Sequence, residues 1–530
     1  MIGKPCDHAA KLRGQAFPQC TLDSLNLHCL FDGLLELPVA SRLILILVCV
    51  VFGETLWTKG TELYSNGGGS PENLVPAHDA EIVRIQQELD CLKNQMQAGT
   101  FPETARKQGE KTSALLANYA STIVQENSVV EFLPEPTGYR AFYKRGFVFE
   151  PSNKRKTPFQ LTINSWIQFR HHAFTRTVDS WTDNAGITRP VQNRNAFDIE
   201  RARLSFRGFA IDPRLTYFLQ LDGDTDGSHG VDFFDFWWSW EVSDAFRIQL
   251  GKRKVPASRQ WLLGARRTRL SDRPMADDFF RPDRTVGIFG LGKLGDQCHY
   301  ELMVGNGYRT TNLPPAVVDD RFTFAATSYI EPAGKFGSQL VDFDCTCNPL
   351  WQLGHSFVYS PQTSNQLAVP LGESDFLRLA DGTRLNETGA LADNVTVSEF
   401  DLWFYGVDLA WKHRGWSADS EVFFRWIENL RGDGPLPVNS VFQHGLYVEG
   451  GKFLIERTFD VNFRYSYVNG DFGNGSEFAG GVNWYPLSKP TLKFTFDVTR
   501  LNRSPLQNRS TDILVGDSGV LFRSQFQAEF

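Results

Sequence analysis

The chain of 530 residues lacks a continuous apolar run long enough to cross a membrane as a helix. It also lacks a CxxC pair, a GxSxG, a P-loop and a GxGxxG that opens a helix. The usual signatures of a zinc ribbon, an α/β-hydrolase and a nucleotide-binding fold are therefore missing. The chain has eight cysteines, among them the CxC pair Cys345 and Cys347, which we interpret as structural. We expect no enzyme activity, no cofactor and no metal site.

A strong charge of one sign is also absent. The 54 Lys and Arg residues stand against 61 Asp and Glu residues, which gives a formal net charge of -7. This near balance argues against a nucleic-acid partner. Aromatic residues are abundant, with 43 Phe, 14 Tyr and 13 Trp in a chain that is only 42% hydrophobic. A soluble enzyme can have this composition, and so can a transmembrane β-barrel, whose strands alternate polar and apolar side chains.

The N-terminal region of residues 1–53 contains the longest apolar run, the ten residues 43–52 (LILILVCVVF). This length fits the apolar region of a secretory signal, and Val51 and Gly53 are small enough for a cleavage site. The alternative is a short buried strand or helix. Arg42 stands directly before the run, and the 41 residues that precede Arg42 are far more than a usual signal has there. These residues contain no Met after Met1. We therefore expect translation to start further in.

The next two segments differ in pattern. Residues 54–78 are polar and contain SNGGGSPEN, which predicts a linker. Residues 79–125 are predicted to be helical. Their first part, 79–97, has an apolar seam with 3-4-3-4 spacing: Ile82, Ile85, Leu89, Leu92 and Met96. The seam favours a coiled coil that joins several chains, and the alternative is one amphipathic helix that packs on another element.

From residue 159 the apolar period changes to two and keeps this value to the end of the chain. In residues 198–210 (DIERARLSFRGFA), for example, Leu204 and Phe206 alternate with Arg203 and Ser205. Sixteen such segments are predicted strands: 160–169, 198–209, 214–222, 232–241, 245–252, 284–291, 297–306, 321–330, 350–360, 397–411, 416–428, 442–453, 458–468, 477–486, 491–501 and 519–530.

The connections between these strands mostly alternate between long and tight, as they do in outer-membrane barrels. Residues 331–349 should form a short turn and do not, so an extra strand pair there is an alternative. Phe530 ends an alternating strand, which resembles the signature that the barrel-assembly machinery binds. The sequence predicts an all-β transmembrane barrel of sixteen antiparallel strands over residues 155–530, with a short N-terminal helical or coiled-coil segment. We expect it in the outer membrane of a Gram-negative-type envelope, in contact with lipid.

Several segments of this region resemble the phosphate-selective porin O/P family. They are DIERARLSFRGFAIDPRLTYFLQLD, FRIQLGKRKVP with Gly251, Lys252, Lys254 and Pro256, DRTVGIFG with Arg284 and Gly287, ELMVGNG, HGLYVEGGKFL and FRYSYVNGD. Each motif is weak, but their order along the chain is similar to that of the family. Family members usually have an acidic residue soon after the proline, whereas this chain has Ala257 and Ser258. The resemblance implies a water-filled porin, a homotrimer, and passive diffusion of small anionic solutes, phosphate among them.

The stretch 253–283 would be the third outer loop, which in sixteen-stranded porins folds into the lumen. It carries eight basic and four acidic residues, against the overall charge. Arginine stays charged and fits phosphate and carboxylate oxygens, so a narrow passage lined with it selects anions. The arginines that we predict to line the pore and bind anions are, on the wall, Arg201, Arg203, Arg207 and Arg247 and, on the loop, Arg259, Arg266, Arg267, Arg269 and Arg273.

Other interpretations stay open. The arginines could pair with acids of the loop and with wall acids such as Asp198 and Glu200, which would leave a general diffusion pore. The coiled coil could tether the barrel to the cell wall. His171–His172 is a weak candidate for a metal site. The DGDTDG of residues 222–227 is a weak candidate for a calcium site, because no glutamate follows at the twelfth position. A barrel enzyme such as a lipase is a further, weaker alternative, since no nucleophile–base pair is evident.

Overall fold

The computed structural model describes residues 138–153, 158–223, 230–309, 318–364, 377–507 and 513–530. The segments predicted for residues 1–53, 54–78 and 79–125 lie outside the described residues, and so do Asp224 and Asp226 of the DGDTDG motif. Among the described residues, no helix combines the length and the apolar character that a membrane span needs.

The described residues form strands β1 to β20, two short α-helices and one 3-10 helical turn, Ala265–Arg267. The first ten strands are β1 Tyr139–Tyr143, β2 Phe147–Pro151, β3 Phe159–Arg176, β4 Ser180–Thr182, β5 Thr188–Pro190, β6 Arg194–Ala210, β7 Asp212–Gly223, β8 Asp232–Ser243, β9 Phe246–Lys254 and β10 Arg284–Leu294. The other ten are β11 Cys298–Gly305, β12 Thr323–Ile330, β13 Leu350–Thr363, β14 Val397–His413, β15 Trp416–Gly432, β16 Val441–Ile455, β17 Phe459–Gly470, β18 Gly473–Trp484, β19 Leu492–Asn502 and β20 Gly519–Glu529. The helices are α1 Arg259–Leu262 and α2 Met275–Phe280.

Sixteen of these strands form one closed antiparallel barrel. Strand β3 pairs with β6, and β6 to β19 each pair with the next strand along the chain. The barrel closes where β20 pairs with β3, from Gly519 opposite Arg176 to Glu529 opposite Trp166. The prediction of a sixteen-stranded antiparallel barrel is confirmed, and each predicted strand overlaps one of these sixteen.

The two faces of the wall have the opposite arrangement to a soluble sheet protein. On β17 the inward side chains of Asp460, Asn462 and Arg464 are almost fully buried, whereas Phe463 and Tyr465 are 61% and 46% exposed on the outer face. A polar interior and an apolar exterior are what a barrel in lipid needs. The two ends of the barrel also differ. At the short-turn end β6 joins β7 through Ile211, while at the long-loop end β13 and β14 are 33 residues apart, from Thr363 to Val397.

The interior is not polar throughout, which the alternation did not predict. Helix α2 lies against the inner face of β15, β16 and β17, where its Phe280 ring stacks on Phe423 at 5.5 Å between centroids. Phe400 and Phe404 of β14 are fully buried in the same apolar cluster. This cluster supports one side of the lumen, because it gives the residues of α2 an apolar surface on which to pack.

Two other features differ from the sequence analysis. The hairpin of β1 and β2 was not predicted, and β2 pairs with β3 at only three positions, Phe147 to Phe149 opposite Ile163 to Leu161. Residues 331–349 contain no strand, so the extra strand pair considered for them is not present. The extra strand pair was considered only because the connection is long. The length has another cause, since residues 331–349 fold back into the barrel.

Candidate channel constriction

The connection between β9 and β10, residues 255–283, folds into the barrel and is named the inner loop here. Most of its side chains are buried, although it is rich in charge. Ser258 begins α1, since its Oγ accepts a hydrogen bond from the Trp261 amide at 3.2 Å and donates one to Asp277 at 2.6 Å. The same hydroxyl therefore links α1 to α2.

Two cations satisfy the carbonyl groups at the end of α1, which have no partner within the helix. Lys254 Nζ donates to the carbonyl oxygens of Trp261 and Leu263 at 2.6 and 3.0 Å. Arg273 also donates to the Leu263 oxygen, at 2.9 Å. Lys254, from the family-like motif before the proline, thus helps to fix the shape of the inner loop.

Acidic side chains of the wall hold the backbone of the inner loop. Glu421 of β15 accepts hydrogen bonds from the amides of Arg259 and Gln260 at 3.0 and 2.6 Å. Glu477 of β18 accepts from the Met275 amide at 2.6 Å. Asp497 of β19 does the same for Ser271, at 2.9 Å. The loop is consequently pinned to β15–β19, one side of the lumen.

A buried carboxylate of the inner loop joins two wall arginines. Asp272 lies 2.9 Å from Arg170 of β3 and 3.3 Å from Arg201 of β6. Arg201 also lies 3.0 Å from Glu200, its neighbour in the chain. The structure therefore brings Arg201 to the loop, as predicted, but its charge is matched there by acids.

Arg203, two residues further along β6, has both an ionic and an aromatic environment. Its guanidinium lies 2.8 Å from Asp222, and the rings of Trp166 and Phe234 are 5.0 and 4.1 Å away. Cation–π contacts of this kind are stronger where water is excluded. Arg203 is 10% exposed, so its charge is only partly available to a solute.

Three of the predicted loop arginines are buried in ion pairs. Arg269 lies 2.6 Å from Asp419 and donates to Ser417 at 2.7 Å. Arg259 donates to Gln352 at 2.9 Å and lies 3.7 Å from Asp419. Arg273, besides its bond to Leu263, lies 3.6 Å from Asp277. These side chains mainly fix the loop.

The other four predicted arginines are accessible. Arg266 is 25% exposed and lies 3.3 Å from Glu529, and Arg247 is 45% exposed and lies 3.1 Å from Glu241 near the short-turn end. Arg267 donates to the Ser338 carbonyl at 3.0 Å. Arg207 is exposed on the inner face of β6, and within the described ranges no contact links it or Arg247 to the inner loop.

The sequence analysis overlooked other arginines of the inner wall. Arg170, Arg425, Arg464 and Arg523 are among the largest fully buried side chains. Arg464 lies 2.9 Å from Glu449 and 3.2 Å from Glu477. The available signal was the alternation itself, because each arginine occupies an inward position of its strand.

The structure gives little support to the metal and calcium sites that the sequence suggested. In the part of the chain that the structure describes, no group of three or more His, Cys, Asp and Glu side chains could hold a metal ion. His171 is buried, with its Nε2 2.7 Å from Asn195 Oδ1 and its ring 4.8 Å from that of Phe197. This environment is typical of a packed histidine.

No protein-family model matches the chain, and no curated protein sequence matches it. Among solved structures it is similar to the anion-selective porin from Comamonas acidovorans, with 11% identity, a TM-score of 0.47, and 70% of this chain and 100% of that chain covered. It is similar to the outer membrane channel DcaP of Acinetobacter baumannii with 9% identity and a TM-score of 0.45, and the match covers 70% of this chain and 97% of that chain. It is similar to OmpF of Salmonella typhi with 10% identity and a TM-score of 0.43, and the match covers 74% of this chain and 100% of that chain. At these distances no property of the three proteins is carried over, and membership of the O/P family stays a prediction.

Proposed function

We propose that the protein is an outer-membrane porin through which small anionic solutes diffuse passively. The exposed aromatic and aliphatic side chains of the outer face support a location in lipid. They include Phe463 and Phe478, each 61% exposed, and Val448 at 50%. Each wall strand pairs with a neighbour on both sides, so the closed barrel leaves no free sheet edge in a hydrocarbon environment.

The observation that carries the anion preference is the uneven pairing of the predicted arginines. Arg207, Arg266 and Arg267 are accessible, and among the described residues Glu529 is the only acid within 4 Å of any of the three. Of the predicted arginines, the buried Arg201, Arg259, Arg269 and Arg273 each lie within 4 Å of an acid. Accessible positive charge in a narrow passage attracts anions and repels cations, because the surrounding protein focuses its field.

The test is the double variant Arg266→Glu and Arg267→Glu, measured in a planar lipid bilayer under a KCl gradient. We expect the reversal potential to move towards cation preference, because four charge units change at the accessible face of the inner loop. Arg247→Glu serves as the control, since Arg247 is already paired with Glu241 near the rim and should have the smaller effect. A conducting double variant with unchanged selectivity contradicts the assignment.

Phosphate selectivity is the finer part of this proposal and rests on the family resemblance. It is tested by adding phosphate to a chloride-conducting channel. A phosphate site in the passage reduces the chloride current at low phosphate concentration, whereas a passage with only diffuse positive charge does not respond until phosphate becomes a major anion.

A general diffusion pore is the second candidate function. The pairing of Arg201, Arg259, Arg269 and Arg273 with acids favours it, because ion pairs reduce the field that a solute experiences. Permeation of a neutral sugar separates the two candidates. A general pore passes the sugar and chloride at comparable rates, whereas an anion-selective passage favours chloride.

Assembly and tethering are further parts of the proposal. A coiled coil of residues 79–97 would support a homotrimer or a contact with the cell wall. Deletion of 79–97 separates these roles from transport, since a porin keeps its single-channel conductance while a tether loses envelope integrity. Phe530 is proposed to bind the barrel-assembly machinery, and Phe530→Ser should then lower the yield of folded barrel in cells.

A further inference from the structure

The connection between β12 and β13, residues 331–349, is named the lower segment. It lies at the short-turn end, where β14 and β15 are joined through only two residues. Six of its residues are nevertheless buried: Glu331 at 7%, Phe336 at 4%, Leu340 at 1%, Val341 at 8%, Asp342 at 1% and Phe343 at 9% exposure. A connection that only crossed the barrel rim would leave its apolar side chains in water. The lower segment therefore folds back against the interior of the barrel.

Its partners include the inner loop, which enters from the opposite end. Arg267 donates to the Ser338 carbonyl oxygen at 3.0 Å, and Arg269 donates to that of Leu340, also at 3.0 Å. The Arg259 guanidinium lies 5.4 Å from the centre of the Phe336 ring. Three of the arginines predicted to line the pore thus contact the lower segment.

The wall holds the lower segment from below and from the side. Lys412, an inward residue near the end of β14, donates to the Phe336 carbonyl at 3.1 Å and lies 4.1 Å from the Phe336 ring centre. Asp342 accepts a hydrogen bond from the Gly415 amide at 2.8 Å. These contacts fix the segment at Phe336 and at Asp342.

An aromatic cluster fixes the second half of the segment. The ring of Phe343 packs edge-on against Phe453 of β16 and Tyr485, with centroids 5.4 and 5.2 Å apart. Arg457 donates to the Phe343 carbonyl at 3.2 Å. The segment is therefore attached to β14, to β16 and to the turns beside them, and it has a defined position.

The chemistry of these contacts matters for permeation. The group that holds Arg267 is a backbone carbonyl, which carries no net charge. It orients the Arg267 guanidinium without cancelling its positive charge, whereas the charge of Arg269 is matched by Asp419. Lys335 of the lower segment is exposed, and among the described residues its side chain makes no hydrogen bond or ion pair.

We infer that the lower segment is a second constriction, which narrows the passage from the short-turn end and holds Arg267 in its anion-attracting position. This inference rests on the proposed function as a channel. It adds Phe336 and Lys335 to the residues that determine conductance and selectivity, Phe336 through its bulk and through Arg259, and Lys335 through its charge.

The test compares the full-length wild type with two variants in a planar bilayer. In the first, a glycine–serine linker of equal length replaces residues 332–341; in the second, Phe336→Ala removes one ring. Leu487→Ala is the matched control, because Leu487 is an exposed apolar residue at the same end. Heat-modifiable migration in gels shows whether each variant forms a barrel.

We expect the linker variant to raise single-channel conductance by about twofold or more and to lower the chloride-to-potassium preference, because a passage conducts according to its narrowest part. Phe336→Ala should have a smaller effect of the same sign, and Leu487→Ala none. Lys335→Glu should lower anion preference without raising conductance. If the linker variant does not fold, Phe336→Ala and Lys335→Glu decide the matter.

The outcomes separate the two proposals. A wild type that forms no channel refutes the proposed function and this inference together. A conducting wild type whose folded variants have the same conductance and the same selectivity refutes the second constriction alone. Increased conductance with unchanged selectivity refutes the role assigned to Arg267 and Lys335.

Discussion

The carboxylate of Asp272 lies 2.9 Å from the guanidinium of Arg170, and both side chains are almost fully buried inside the barrel. The same carboxylate contacts Arg201, while Arg170 also lies 2.8 Å from Glu200. This network ties the inner loop to β3 and β6, whereas Glu421 and Glu477 tie it to β15 and β18. The loop is thereby attached on two sides of the lumen.

We expect Asp272→Asn to loosen the inner loop on its β3 side. The amide keeps the size of the side chain but removes one of the two carboxylates that Arg170 and Arg201 contact, while Glu200 remains beside both arginines. Leaving a buried charge with no partner costs about 3–5 kcal/mol, so the loss should be smaller here. The measurement is limited proteolysis of the inner loop in the folded barrel. Faster cleavage within residues 255–283 supports the network. Cleavage at the wild-type rate would mean that the wall contacts of β15–β19 are sufficient.

A second prediction compares substitutions of Arg269 and Arg247, since both residues were predicted to line the pore. Arg269→Gln leaves Asp419 buried next to Glu449, which lies 3.7 Å from Arg269 in the wild type. We expect a loss of about 3–5 kcal/mol in the free energy of unfolding. Arg247→Gln breaks a largely exposed pair with Glu241 and should cost about 0–1 kcal/mol.

Urea unfolding in lipid vesicles, followed by tryptophan fluorescence, measures both variants. The ratio of the two losses in the free energy of unfolding matters more than either loss alone, because membrane barrels differ in overall stability. Equal losses for the two variants would mean that the burial of Arg269 does not determine its contribution.

A third prediction concerns the thiols of the lower segment. Burial, and next the carboxylate of Glu456, raise the pKa of Cys345 to about 11, whereas Cys347 is exposed. The thiolate is the reactive form, so at pH 8 Cys345 should be alkylated roughly tenfold or more slowly than an unperturbed thiol. Its rate should keep rising as the pH approaches 10.

Peptide mass spectrometry after timed alkylation resolves the two cysteines. Glu456→Gln removes the neighbouring charge and should speed the reaction of Cys345 while leaving that of Cys347 unchanged. Equal rates for both thiols at pH 8 would contradict the environment of Cys345.

The wall could be predicted from the sequence because its pattern is local. On β17, polar residues alternate one by one with apolar or aromatic residues from Asp460 to Tyr465, and such a strand has one favourable orientation in lipid. All sixteen wall strands carry a version of this signal. The hairpin of β1 and β2 escaped because Tyr139–Tyr143 is exposed at every position, so no alternation of burial accompanies it.

The interior could not be predicted to the same depth. Arg269 and Asp419 are 150 residues apart in the chain, and they meet because the inner loop folds against the inner face of β15. The sequence analysis therefore had to leave open whether the loop arginines serve solutes or ion pairs. The apolar contact of Phe280 with Phe423 was hidden for a related reason, since an inward phenylalanine is not distinguishable from an outward one by local pattern when neighbouring positions are also aromatic.

A last prediction tests the close approach of β3 and β6 at the short-turn end. Gly208 of β6 lies so near β3 that an added Cβ would be 1.7 Å from the Gln160 carbonyl oxygen, and this oxygen already accepts a hydrogen bond from Tyr217 at 3.1 Å. Because the obstructing atom belongs to the backbone, Gly208→Ala must separate the two strands, at a cost of about 1–3 kcal/mol. Gly264→Ala in the inner loop is the control, since its nearest neighbour would be 3.9 Å away. We expect the urea midpoint to fall for Gly208→Ala and to stay near the wild-type value for Gly264→Ala; the reverse order would refute the close contact between β3 and β6.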